Sequence, residues 1–175
     1  MTSTRLSATS YVVLGMIALR GPSTSYDLKR AVGRSIGYFW QFPHAQLYSE
    51  PQRLVRLGLL KASEEGSGRR RRTYDITGKG RASLRKWLAE PTNEHFQMRD
   101  IAELKLFFNE VGEPEDVRSL ARAQVRQHEE RIAVYRDMRK RYGDVPGVAG
   151  RMVTLELGLE MERAALRFWR RLADE

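Results

Sequence analysis

The 175-residue chain contains no cysteine. Disulfides, thiolate metal sites and cysteine nucleophiles are therefore excluded. Its three histidines, His44, His95 and His128, are far apart, and none has the spacing that brings two imidazoles to one ion. No metal and no cofactor is expected. No apolar run approaches the length of a membrane span, and the opening MTSTRLSATS lacks a secretory apolar core. The expectation is a cytoplasmic protein. There is no phosphate-binding P-loop, no Gly-x-Ser-x-Gly elbow and no dinucleotide fingerprint. Asp100 and Glu103 stand three apart without a histidine or glycine-rich partner, so they read as surface or ion-pair residues, not as an acid–base pair. An enzyme is not expected.

What is present is charge, unevenly placed. Residues 1–90 hold 16 Lys+Arg and 6 Asp+Glu, a net +10, whereas residues 91–175 hold 15 and 16, a net −1, within a total of +9. The basic excess lies entirely in the first half, which points to a polyanion docking there. The length allows two small domains. Their expected extents are about residues 8–90 and 95–175, and the fold class is mostly α.

The first half reads as short helices followed by a hairpin. Ser10 is a candidate cap for a helix over about Tyr11 to Leu19, apolar nearly all round. Gly21-Pro22 breaks it, and Ser25 is placed as the cap of a second helix from about Tyr26 to Val32. In the loop GRSIGYFWQF, Phe39 and Trp40 are expected to pack on the small core, with a partner surface as the alternative. A third helix carries Leu47, Leu54, Leu57 and Leu60 at roughly helical spacing. Its polar side offers Gln46, Ser49, Gln52 and Arg53. Glutamine and arginine carry the forked groups that match adenine and guanine edges. Pro51 implies either a kink or a regular helix starting near Glu50, and the sequence leaves both open.

A strand from about Leu59 to Glu65, a Gly-Ser-Gly turn, the run Arg69, Arg70, Arg71, Arg72 and a strand from Thr73 to Ile76 then form a hairpin with a basic tip. Helix plus basic hairpin is the layout of a winged helix-turn-helix, with the helix in a major groove and the tip on phosphates or in the minor groove. A solvated charge run is the plainer alternative for the arginines. Thr77 is placed as the cap of a fourth helix to about Glu90, with Leu84, Trp87 and Leu88 as its buried stripe.

Beyond Pro91 the pattern changes. An apolar helix spans about Met98 to Asn109. Pro114 opens a long helix through about Tyr142, with Val117, Leu120, Gln124, His128, Ile132, Tyr135 and Met138 on one side. A last helix from about Met152 to Ala173 presents Leu155, Leu159, Leu166, Trp169 and Leu172. This helical hairpin offers more apolar surface than a small winged domain covers, so a homodimer is expected, matching two DNA half-sites. A monomeric bundle is the alternative. His128 reads as a core or interface histidine with a hydrogen-bonded ring, or as a pH switch.

Three stretches resemble the PadR-type transcriptional regulators. SYVVLGMIALRGPSTSYDLKRAV resembles the family's first two helices. FPHAQLYSEPQRLVRLGLL resembles its recognition helix around a Leu-Tyr pair, and GSGRRRRTYDITGKGRASLRKWL its wing and following helix. DIAELKLFF and the long helical pair resemble the C-terminal dimerisation region of the subfamily that includes virulence activators. The resemblance implies a homodimeric DNA-binding regulator, usually a repressor, on an inverted repeat of double-stranded DNA. It places Tyr48 at the recognition-helix tyrosine and Tyr26 at the second-helix tyrosine, with Arg69 to Arg72 on the wing. Pro51 stands where leucine is commoner. Release of DNA by a small aromatic or drug-like effector near the dimer interface is a further implication, with Trp87 as the candidate lining residue or else a core tryptophan. The alternative class is a winged-helix module that binds RNA or an acidic protein.

Overall fold

The computed structural model describes residues 6–40, 43, 45–64 and 71–174. The chain divides into two compact units, Met1–Glu94 and His95–Glu175. The fold is mostly helical with one two-stranded sheet.

In the first unit, helix α1 (Ala8–Arg20) starts from Ser7, not Ser10. The Ser7 hydroxyl accepts the Ser10 amide, and the Ser10 hydroxyl accepts the Ser7 amide at 2.9 Å. Ser10 is thus the third residue of a reciprocal box that uses serine where glutamate is usual. Helix α2 (Ser25–Gly33) likewise starts one residue earlier than expected. Thr24 caps it, and Asp27 returns the bond to the Thr24 amide. Those bonds, the Thr24 hydroxyl first, hold the Asp27 carboxyl below its ordinary range.

A 3-10 turn at Ile36–Tyr38 follows. Phe39 and Trp40 do not pack on the core: they are 62% and 44% exposed. The core is closed instead by Leu14, Ile17, Leu28, Leu47 and Leu54, all fully buried. Helix α3 (Gln46–Arg56) runs unbroken through Pro51, so its regular part starts well before Glu50. At Gly58 φ is +70°, which turns the chain into strand β1 (Leu60–Glu64). Strand β2 (Arg72–Ile76) pairs with it antiparallel, from Leu60 opposite Ile76 to Glu64 opposite Arg72. Ser23 and Tyr74 exchange two backbone bonds, of 3.0 and 2.9 Å, which anchor the hairpin to the α1–α2 link.

Helix α4 (Gly78–Ala89) is capped by Thr77, as its sequence requires. Of its expected stripe only Leu84 is buried; Trp87 and Leu88 are 43% and 67% exposed. The helix packs along α1, so the outer edge of the stripe stays in solvent. Trp87 stacks on Tyr11, with centroids 4.5 Å apart and planes within 8°.

In the second unit, α5 (Ile101–Phe107) is shorter than expected. Asp100 caps it by accepting the Ala102 amide at 2.9 Å, and a 3-10 turn at Asn109–Val111 closes it. Helices α6 (Pro114–Tyr142) and α7 (Ala149–Asp174) form the hairpin. The cross-pairs Glu129–Arg170, His128–Glu162 and Arg139–Glu156 show that they run antiparallel. Ala121, Ile132 and Tyr135 on α6 and Leu159, Leu166 and Trp169 on α7 are buried. Gly158 lets the helices close: a Cβ there would stand 3.0 Å from the Tyr135 ring. His128 Nδ1 lies 2.6 Å from Glu162 Oε2, so its ring is hydrogen-bonded between the helices. Among the described residues, no helix is long and apolar enough to cross a membrane, and no His, Cys, Asp and Glu cluster is arranged to hold a metal.

Candidate nucleic-acid interface

Helix α3 has two faces. Leu47, Pro51 and Leu54 recur at i, i+4 and i+7 and are buried. The opposite arc carries Gln46, Tyr48, Ser49, Gln52 and Arg56, all exposed. Leu47 and Leu54 seat the helix in the core of the first unit, so the polar arc faces outward as a surface of amides, hydroxyls and a guanidinium.

Arg53 departs from expectation. Its Nε donates to Glu50 Oε2 at 2.9 Å, and its Nη2 donates to Glu50 Oε1 at 2.8 Å and to Ser10 Oγ at 2.9 Å. Two edges of the fork are engaged within the protein, and the side chain is turned toward α1 instead of lying free for a base edge. Burial opposes ionisation of Glu50, but the bonds from Arg53 and Ser10 outweigh it and hold the carboxyl below the usual glutamate range. Hydrogen bonding to Glu50 raises the Arg53 pKa still further, so this pair stays charged.

Arg56 was missed by the sequence reading. It lies four residues after Gln52 and seven after Ser49, in the middle of the exposed arc. That spacing was the available signal; its place in the last turn, beside the leucines, masked it. Among the described residues, no carboxylate lies within ion-pair distance of Arg56.

Tyr26 on α2 is 59% exposed, with the Arg30 guanidinium 5.8 Å from its ring centroid. On the wing, Arg69 and Arg70 fall outside the described residues. Arg71 reaches Asp27 at 3.6 Å, linking wing to α2, and Arg72 lies 3.9 Å from Glu64 and 5.7 Å from the Tyr74 ring centroid. The Arg71 and Arg72 guanidinium groups are themselves exposed, so their ion pairs contribute little to stability and are readily exchanged for a phosphate. A shallow depression lies on the second unit, where Arg122, Arg126 and Arg170 flank Val125 and Ala173.

A buried-and-polar helix beside a basic hairpin occupies the first unit, and a long helical hairpin the second. Residues 13–86 match the model of the Transcriptional regulator PadR-like family, and residues 98–175 match that of Virulence activator alpha C-term. The first unit thus carries a PadR-like transcriptional regulator domain, and the second a virulence-activator C-terminal region. This PadR-like chain is 37% identical over 71 residues to Probable transcriptional regulator Rv1176c of Mycobacterium tuberculosis, a match spanning 39% of the chain and 38% of that relative's length. Bacillus subtilis PadR in complex with operator DNA has the same fold, with a TM-score of 0.85 at 19% identity over 96% of this chain and 98% of that one. The Vibrio cholerae virulence activator AphA is similar at a TM-score of 0.70 and 27% identity, over 95% and 96% of the two chains. The family is one of regulators, not of enzymes.

Proposed function

We propose that this PadR-like chain binds double-stranded DNA as a homodimer, with the exposed arc of α3 in the major groove and the hairpin tip on the adjacent backbone. The observation that carries this is the outward polar arc of α3, set on a fully buried apolar face, in the half of the chain that holds the whole basic excess. Gln46, Ser49, Gln52 and Arg56 are assigned to base edges. Tyr26, Tyr48 and Arg69 to Arg72 are assigned to the sugar–phosphate backbone, and Arg53 to holding the helix. Transcriptional repression in the cytoplasm is the expected outcome. Bacillus subtilis PadR has been crystallised with operator DNA and with p-coumaric acid. By that likeness a small aromatic effector is proposed for this chain as well, with Trp87, stacked on Tyr11 by one face and 43% exposed, kept as its candidate contact.

The homodimer rests on the second unit. Val153, Leu157, Met161 and Phe168 are exposed on α7, while Leu159, Leu166 and Trp169 are buried. A second copy with the same stripe covers such a surface by two-fold symmetry.

The electrostatic part is tested with two arginines. Replacing Arg70 and Arg71 by alanine is expected to weaken binding to every duplex alike. The slope of log affinity against log salt should flatten by about 2 per protomer, since each lost phosphate contact removes roughly one counterion. The measurement is fluorescence anisotropy on duplex DNA at about 50 and 200 mM salt, the range over which some six to ten phosphate contacts change affinity by about 10³–10⁵-fold. An unchanged slope removes the wing from the interface.

A further inference from the structure

Helix α3 is poorly equipped to hold its own shape. Its N-cap is Ala45, which provides no side-chain acceptor for the first-turn amides. Five residues into the helix, Pro51 has no amide hydrogen, so the Leu47 carbonyl loses its i+4 donor. Leu47 and Pro51 are both fully buried, which leaves that carbonyl little access to water as a substitute. Proline at such a position disfavours helix by about 3 kcal/mol relative to alanine. Yet this is the helix whose outward arc must face in one defined direction.

The compensation sits at the same turn. The residue immediately before the proline is Glu50, and its carboxylate closes a three-residue ring of bonds. Ser10 Oγ donates to Glu50 Oε1 at 2.6 Å. Arg53 donates to both Glu50 oxygens, at 2.9 and 2.8 Å, and to Ser10 Oγ at 2.9 Å. Ser10 is fully buried, and the Glu50 side chain is only 12% exposed. The ring is therefore partly shielded from water, with Arg53 at 31% exposure its outer member, and its charge-assisted bonds are stronger than those of an open surface pair. Ser10 belongs to α1, whose Val13, Leu14 and Ile17 are fully buried and form the centre of the first unit. One turn earlier a parallel bond runs from Thr9 Oγ1 to Gln46 Oε1 at 2.8 Å.

We infer that Ser10, Glu50 and Arg53 are positioning residues: they pin α3 to α1 across the turn that Pro51 weakens, and so fix the rotation of the reading arc. Glu50 and Arg53 touch no base; they act through Gln46, Ser49, Gln52 and Arg56. The consequence for DNA rests on the proposed function, whereas the pinning itself does not.

The test is a double-mutant cycle in the full-length chain: the parent, Glu50→Gln, Pro51→Ala and the double variant. Glu50→Gln keeps the shape and removes the charge. Pro51→Ala restores the missing amide. Hydrogen exchange of the free protein reads the pinning without DNA. Exchange of the α3 amides is expected to quicken about tenfold in Glu50→Gln while the α1 amides keep their rates, and only about twofold when Pro51→Ala is also present. Arg53→Lys, which keeps the charge and loses the fork, should repeat the α3-confined effect. The DNA readout uses a duplex enriched by the parent protein from a randomised library, set against a scrambled duplex. Glu50→Gln should reduce their affinity ratio about tenfold at unchanged scrambled-duplex affinity and salt slope, and the double variant should recover most of it. Equal losses with and without Pro51, or exchange that rises as much in α1 as in α3, would make the triad an ordinary ion pair and overturn the inference. A parent protein that enriches no duplex overturns the DNA-binding reading instead, while hydrogen exchange still decides the pinning.

Discussion

Gly80→Ala is expected to destabilise the first unit by about 3 kcal/mol, at the upper end of what overpacking costs. A Cβ at residue 80 would lie 2.2 Å from the Leu59 carbonyl oxygen and 2.9 Å from Ile76 Cγ1. The oxygen has little room to retreat. It accepts the Thr77 amide at 3.1 Å and the Thr77 hydroxyl at 3.1 Å, and the same hydroxyl accepts the Gly80 amide at 3.0 Å to cap α4. Glycine 80 is thus where the first turn of α4 rests on the entry to the wing. Gly78→Ala is the control, because a Cβ there meets nothing within 4 Å and alanine is the better helix former. Urea unfolding followed by circular dichroism should show a lower midpoint for Gly80→Ala, and a midpoint equal to or above the parent's for Gly78→Ala. A Gly80→Ala protein within about 0.5 kcal/mol of the parent would mean that α4 does not seat on Leu59 as described.

The double substitution Val153→Glu with Leu157→Glu is expected to convert a dimer into a monomer. The two side chains are 72% and 62% exposed in the single chain, so the fold of one copy loses little packing. In a two-fold interface each counts twice. Burial of a valine or leucine contributes ~1.5–3 kcal/mol. Loss of four is worth roughly 6 kcal/mol or more, which raises the dimer dissociation constant by about four decades. Four carboxylates on one seam add repulsion. Sedimentation velocity should show a single-chain species with an unchanged far-ultraviolet spectrum, and affinity for an inverted-repeat duplex should collapse toward that of one half-site. A variant that sediments as a dimer would move the interface elsewhere. The other exposed apolar side chains of the second unit, among them Phe96, Ile101, Phe107 and Val111, would then be next to test.

How much of this was legible before the structure depends on which force dominated at each place. The bounds of α6 follow from residues that tolerate few alternatives: Pro114 suits only a first turn, and Gly143 ends the run. The buried Leu47 and Leu54 and most of the outward arc of α3 follow from period, but Leu57 and Leu60, read with them, lie past the end of the helix, the one at its C-cap and the other in β1. The caps of α1 and α2 were misplaced at Ser10 and Ser25, because a serine or threonine near a helix start suits the role at several neighbouring positions. Ser7 and Thr24 take the roles because their hydroxyls reach the third amide, leaving Ser10 and Ser25 inside the helices. Phe39, Trp40 and Trp87 look like core by composition. Whether a ring is covered depends on how much core volume the aliphatic residues have already filled, which is a property of the packed unit. Arg53 shows the same limit in polar form. Its type and spacing suit a base edge; the ion pair with Glu50 three residues earlier was legible, but the bond to Ser10, 43 positions away in sequence, has no local pattern to announce it.

The central claim is that two copies of this PadR-like chain clasp one duplex through α3 and the wing. The most direct measurement is binding of the purified full-length protein to DNA from upstream of its own gene, by fluorescence anisotropy at two salt concentrations with excess non-specific competitor. Saturable binding that survives competitor is expected, at two protomers per duplex, with affinity falling steeply as salt rises. Binding that competitor abolishes, or that saturates at one protomer, would contradict it, and would turn attention to RNA or an acidic protein as the partner of the basic half.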